Sequence, residues 1–179
     1  MQALLNNTTA SNNTAVGYQA GYSNTTGGQN TFVGNLAGYN TTTGLDNIFS
    51  GRQAGYTNST GNYNTAFGTY SLLNNTTPSN NTAVGYQAGY SNTTGFENTF
   101  FGGHAGYNTT TGILNTFIGR RAGHANTTSQ RNTFVGHYAG NSTSSSSNTF
   151  VGQDAGNLIT SGGNNTILGK YTGNQHGLD

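Results

Sequence analysis

The side chains able to do acid–base or ligand chemistry are few and dispersed. The acids are Asp46, Glu97, Asp154 and Asp179, and the histidines are His104, His124, His137 and His176. General acid–base catalysis needs a fixed constellation of such groups with shifted proton affinities. Here no two acids recur at matching positions of adjacent repeats, so no carboxylate dyad is indicated. The histidine spacing does not match a zinc ligand set, and the chain has no cysteine. Gly27-Gly28 and Gly162-Gly163 lack the aspartate of a calcium-binding β-roll, and no Gly-Lys-Ser/Thr of a phosphate loop follows them. These residues predict no enzyme, no cofactor and no metal.

The basic residues are patterned instead, and the pattern belongs to a repeat. Asn-Thr-Ala-Val-Gly at 13–17 returns as Asn-Thr-Phe-Val-Gly at 30–34 and recurs every 17 residues, with one step of 16 before Asn148. Ten copies fill 13–179, and residues 1–12 read as the tail of an earlier coil. A longer period of 68 residues lies on top: Asn13 to Gly27 equals Asn81 to Gly95 at every position, so 13–80 and 81–148 form a super-repeat. Numbered from its Asn, the unit stops repeating at positions six and seven. Four of the five Lys and Arg residues sit there, namely Arg52, Arg120, Arg121 and Lys170, together with His104, His137 and Tyr138. Variable side chains on a uniform frame are where a binding face is written. Arg120, Arg121 and His137 on neighbouring units suit an anionic glycan or a phosphate; a variable turn that keeps a rod soluble is the alternative reading. The Tyr column at position ten (Tyr22, Tyr39, Tyr56, Tyr90, Tyr107) could stack sugars or be structural.

Composition narrows the class. Asn (28), Thr (31) and Gly (29) together make about half of the chain, while charged residues are 5% and the net charge is +1. Low charge, 11% aromatics and a strict period argue against disorder. Glycine does not fall at every third position, which excludes collagen. No basic footprint for nucleic acid is present, and no apolar run approaches the ~20 residues of a membrane-spanning helix.

Short fixed periods mean stacked units rather than a closed globule. β-Branched and aromatic residues dominate positions two to four, which favours strand, and glycines at five, nine and fifteen suit turns with positive φ. The expected fold is all-β, a parallel β-solenoid of about ten 17-residue coils, each with two short strands and tight turns. Asn13, Asn30, Asn47, Asn64, Asn81, Asn98, Asn115, Asn132, Asn148 and Asn165 are expected to stack into a ladder of side-chain amides along the axis. Ten coils at ~4.8 Å make a rod of roughly 48 Å.

Neighbouring residues of a strand face opposite ways, yet positions three and four are both apolar. One column is Phe32, Phe49, Phe100, Phe117, Phe134 and Phe150; the other includes Val16, Val33, Val84, Ile118, Val135 and Val151. One should fill the coil and the other should meet a partner chain, because an exposed stripe of that length exceeds what soluble monomers carry. The sequence leaves open which column does which. A homotrimer about a common axis is the expectation.

Asn-Thr-Ala-Val-Gly with a later Ala-Gly resembles the head repeats of YadA-type trimeric autotransporter adhesins, whose repeats form trimerising parallel β-rolls. The longer unit at 13–27 is similar to repeats of phage tail fibres and tailspikes, and 169–179 resembles the junction that precedes a self-cleaving chaperone domain in those proteins. The resemblance implies a piece of a longer, extracellular fibre protein, on a virion tail or a bacterial surface, that attaches to a host glycan or surface protein. Two other functions compete with it. One is a self-assembling solenoid filament, and the other is an ice-binding solenoid that uses threonine rows such as Thr41-Thr42-Thr43 and Thr109-Thr110-Thr111.

Overall fold

The computed structural model of the chain describes residues 2–170. Tyr171, His176, Asp179 and most of the junction-like stretch lie outside the described residues. The fold is an all-β parallel β-solenoid of about nine turns, with coils of about 17 residues. Each coil contributes one three-residue strand: β1 Thr14–Val16, β2 Thr31–Val33, β3 Ile48–Ser50, β4 Thr65–Phe67, β5 Thr82–Val84, β6 Thr99–Phe101, β7 Thr116–Ile118, β8 Thr133–Val135, β9 Thr149–Val151 and β10 Thr166–Leu168. They form a single ten-stranded parallel sheet in chain order. Pairing is in register, with Thr31 opposite Thr14, Phe32 opposite Ala15 and Val33 opposite Val16. The 16-residue coil keeps the alignment, Thr133 facing Thr149 and Phe134 facing Phe150.

One strand per coil, not the expected two, has a backbone cause. Outside positions two to four the chain repeatedly enters the left-handed region. Position nine does so with glycine, as at Gly38 (φ 58°), but positions seven and seventeen do so with ordinary residues, as at Gln53 (φ 55°) and Tyr63 (φ 56°). An extended segment cannot persist through such residues. The glycines of position fifteen were expected to serve φ, and they serve space instead. A Cβ on Gly27, Gly44 or Gly95 would run into the backbone carbonyl of the next coil.

Hydrogen bonds between coils continue past the strands. The N–H of position nine donates to position eight of the next coil (Gly38 to Ala54, 2.9 Å), and that of position seven donates back to position six of the previous one (Gln53 to Asn35, 2.9 Å). Every coil is thus stitched to both neighbours around its circumference, which satisfies the backbone of a chain that is mostly turns.

Position three faces inward. Phe32, Phe49, Phe100, Phe117, Phe134 and Phe150 are fully buried, with consecutive rings such as Phe117, Phe134 and Phe150 stacked at 5.0 and 4.9 Å. Burial of one such ring contributes about 2–3 kcal/mol. Alanines of position eight, among them Ala37, Ala105 and Ala122, line the rest of the interior. The ring also explains the glycine of position nine, since a Cβ on Gly38 or Gly106 would overlap the phenyl group of its own coil. Where the phenyl column lapses at Ala66 and Ala83, position nine carries Leu72 instead, fully buried despite φ 46°. Its Cδ2 reaches so far into the next coil that a Cβ on Gly89 would lie 2.9 Å from it. Leu4 stands in the same relation to Gly21 beside Ala15.

Two polar columns complete the interior. The position-one asparagines from Asn30 to Asn148 are buried. Each Oδ1 accepts the backbone N–H of the Asn one coil on, as from Asn47 to Asn30 at 2.9 Å. From Asn30 to Asn115 each Nδ2 donates across its own coil to position fifteen, as from Asn47 to Gly61 at 2.8 Å, whereas Asn132 and Asn148 donate back to Ser129 and Ser145 of the preceding coil. The side chains therefore brace coils internally as well as linking them. A second column at position twelve comprises Asn24, Asn58, Asn75, Asn92 and Asn126, interrupted by Thr41, Thr109 and Thr143, all buried. Asn92 Nδ2 donates to Asn75 Oδ1 at 2.8 Å, but Asn92 Oδ1 and the Thr109 hydroxyl beyond it are both buried without partners.

Two stability changes follow. Thr109→Asn should supply the missing donor to Asn92 and raise stability by about 1 kcal/mol, read as a higher urea midpoint; an unchanged or lower midpoint would show that the column is not continuous there. Leu72→Ala should destabilise by about 2–5 kcal/mol through the cavity it leaves. Ala66→Phe alone should destabilise by crowding Leu72, whereas Ala66→Phe combined with Leu72→Gly should lie closer to wild type than the two single changes added together. Strict additivity would show that Leu72 does not stand in for the absent ring.

Candidate functional site

The residues of positions six and seven follow the strand directly, beyond the glycine of position five. The local backbone is the same in every coil, so what differs is the side chain alone. At position seven, His104, Arg121 and Tyr138 are held in the left-handed region at φ 59°, 57° and 58°. Their N–H groups donate to Tyr86, Gly103 and Arg120 of the preceding coils at 2.9, 3.0 and 3.0 Å. A non-glycine residue in this region costs roughly 1 kcal/mol. The bond between coils fixes it, and the side chains start from a rigid rail.

Five of the candidate residues come together on the coils of β6, β7 and β8. Arg120 Nη1 lies 3.4 Å from His137 Nε2 and donates to the Tyr138 hydroxyl at 3.4 Å. Arg121 Nη1 donates to the same hydroxyl at 3.4 Å. Both guanidinium carbons lie over the Tyr138 ring, at 5.8 and 5.6 Å from its centre, and His137 packs edge-on to that ring at 4.3 Å. His104 stands 6.4 Å from His124 and 5.2 Å from Tyr86. The other two candidates are elsewhere: Arg52 lies over Tyr70 at 5.2 Å, four coils from Arg120, and Lys170 is exposed after β10. Arg131, at position seventeen, is separated from positions six and seven by the strand.

No known protein family, curated protein or solved structure matches the chain. What the cluster can do rests on its own chemistry.

Sequence reasoning did not join Tyr86, Tyr107 and His124 to this group. His124 occupies position ten, the tyrosine position, and stacks on Tyr107 at 5.3 Å and 7°. It continues the half-buried column in which Tyr22, Tyr39 and Tyr56 stack at 5.1 and 5.3 Å. The signal was available, since His124 lies 17 residues after Tyr107 as Arg121 does after His104. Asn24 and Asn92 each open an Asn-Thr-Thr stretch of the kind that accepts an N-linked glycan, but neither side chain is accessible. Both asparagines are buried in the position-twelve column with Nδ2 donating to Gly27 and Gly95. Among the described residues no group of three or more His, Cys, Asp or Glu could hold a metal ion.

The electrostatics are one-sided. His104 loses protons below the usual histidine value of 6.5, first because of burial and then because of the charges of Arg121 and Arg120. His124 is lowered in the same direction by burial, then by Arg121 and by His104. A histidine depressed in the folded state favours folding in its neutral form. That contribution is complete above the unfolded value of about 6.5 and is lost as pH falls through the lowered folded values. Thermal unfolding should therefore shift to lower temperature between about pH 7.5 and pH 5, and a His104→Gln/His124→Gln variant should show a flatter profile over that range. Superimposable profiles for the two proteins would remove the histidines as its cause.

Proposed function

We propose that the chain is a structural and adhesive segment of a trimeric fibre, on a phage tail or a bacterial cell surface, that attaches to a host glycan or surface protein. The observation that carries the reading is the outer face of the sheet. Position four points away from the filled interior along the whole rod. Val16 is 60% exposed, Phe67 58%, Phe101 53% and Leu168 85%, and Val33 and Ile118 are exposed beside them. A stripe of this length, straight and in register, suits a partner bearing the same stripe in the same register, and identical copies of this chain meet that condition. Closing three such copies about an axis parallel to the rod covers every stripe without leaving an open end to the association. Three copies of any surface site would turn weak contacts into avidity.

The placement of the threonines weighs against an ice-binding surface built on the Thr41–Thr43 and Thr109–Thr111 rows. Thr41 and Thr109 are buried. The hydroxyls of Thr25, Thr42, Thr93 and Thr110 donate to carbonyls of the next coil, at 3.1, 3.0, 3.1 and 3.2 Å. Those rows hold the solenoid together and offer few free hydroxyls to a lattice of water.

Light scattering of the purified chain across a dilution series tests the reading. The expected mass is three times 18.6 kDa, stable on dilution, and Phe67→Glu/Phe101→Glu should dissociate it to monomers that keep their β-sheet circular dichroism. A monomeric wild-type chain would sink the trimer. A mass that grows without limit with concentration would favour the end-to-end filament, in which β1 and β10, the end strands of the described sheet, pair between copies.

A further inference from the structure

The column at position six has a gap in it. Through the coils of β5 to β8 it runs Tyr86, Gly103, Arg120, His137, and Gly103 alone brings no side chain. A Cβ built on Gly103 meets nothing nearer than the Tyr86 carbonyl oxygen at 4.0 Å, so the space above it is open. Tyr86 and Arg120 stand two coils apart, on either side of an opening roughly 10 Å long. His104 lies beside it, edge-on to Tyr86 at 5.2 Å. Beyond that opening the two guanidinium groups converge on one neutral ring.

This cluster is short of negative charge. Arg120 and Arg121 spend their hydrogen bonds on Tyr138 and His137, and Arg121 Nε is buried without a partner. Asp154, the acid at position seven of the next coil, accepts from Gln153 and Asn157. Two adjacent cations gathered on a neutral group repel each other unless an anion is shared between them. An aromatic face beside that charge is the other half of a saccharide site, because the apolar side of a sugar ring packs on it while its polar groups reach the cations.

We propose that the coils of β5 to β8 carry a binding site for an acidic saccharide. Its anionic group lies between Arg120, Arg121 and His104, and a sugar ring packs against Tyr86 over Gly103. The proposal rests on the attachment function and names its class of ligand. His104 and His124 are faced here by Arg120, Arg121, Tyr86 and Tyr107 and are held below the ordinary histidine value first by burial and then by the neighbouring positive charge, so an anion that offsets the arginines relieves the second cause and eases protonation of the imidazoles. Binding tightens as pH falls from about 7.5 to about 5.5.

The test is calorimetric titration of the whole chain, at about 0.15 M salt, with a sulfated hexasaccharide, a hexagalacturonate, a neutral maltohexaose and inorganic sulfate. At least one of the two acidic oligosaccharides should bind, and the pair tells sulfate ester from carboxylate; maltohexaose should not bind. Inorganic sulfate should bind more weakly than the oligosaccharide, for want of the Tyr86 contact. Arg120→Gln/Arg121→Gln should weaken binding about tenfold or more. Gly103→Gln should do the same by filling the gap while leaving every charge in place, and Arg52→Gln should change nothing. Three results would overturn the proposal: no acidic oligosaccharide bound, affinity undiminished in Gly103→Gln, or sulfate bound as tightly as the oligosaccharide. The mass of the same samples by light scattering separates this outcome from the trimer. A trimer without binding loses the site and keeps the fibre, and a monomer that binds does the reverse.

Discussion

Hydrogen bonding between coils, in register and around the whole circumference, is the constraint on which everything else in this molecule depends. A coil of about 17 residues with one three-residue strand has few ways to satisfy its backbone internally. It hands most of its N–H and C=O groups to the coils before and after it. That exchange is possible only if each coil repeats the backbone of its neighbours. The strict period of the sequence is therefore a consequence of the bonding. The one 16-residue unit is tolerated because the register closes again by β9, where Asn148 N–H still meets Asn132 Oδ1 at 2.9 Å.

The same constraint allots the side chains. A column that points inward must stack on itself at the coil spacing, which phenylalanine, alanine and asparagine each do in their own way. Phenylalanine stacks face to face from Phe117 to Phe150 and tilted elsewhere, alanine leaves the ring room, and asparagine both donates and accepts along the axis. Threonine at position twelve cannot extend the asparagine chain, and buried unpartnered oxygens gather there, at Thr41, Thr109 and Thr143. The bonding between coils also holds ordinary residues in the left-handed region at positions seven and seventeen. Each costs roughly 1 kcal/mol, and the N–H group involved is paired with a neighbouring coil nonetheless.

Much of this architecture was legible in the sequence, and the limits were physical. The period, the parallel stacking and the recurring asparagine are all visible as spacing. The choice between positions three and four was not, because Phe and Val are both apolar and a strand shows its two faces equally. Position nine held a partial clue: glycine accompanies phenylalanine at Phe32, Phe49 and Phe100, and leucine replaces it at Leu72 beside Ala66, but Gly21 and Gly89 stay glycine beside Ala15 and Ala83 because the ring of the next coil lies against them. Position fifteen misled for the opposite reason, since glycine chosen for want of space reads the same as glycine chosen for φ. At the cluster, Arg120, Arg121 and His137 were found as variable residues on adjacent coils. Tyr86 and His124 were missed because the contacts run diagonally, between positions six, seven and ten.

A solenoid built this way separates what it must conserve from what it can change. Positions one, three, five, eight and twelve are committed to neighbours within the rod, and a change at any of them is felt in two adjoining coils. Positions six and seven need only a backbone that the coils on either side already dictate. The side chain there is free of the fold, and Tyr86, Gly103, Arg120 and His137 occupy one column without any difference in its path. Specificity can then be written as an order of residues along a line, each reaching outward about 4.8 Å from the last. A chain whose interior repeats so closely can carry an outer column that varies from coil to coil, as the charged, glycine-gapped run Tyr86, Gly103, Arg120, His137 does.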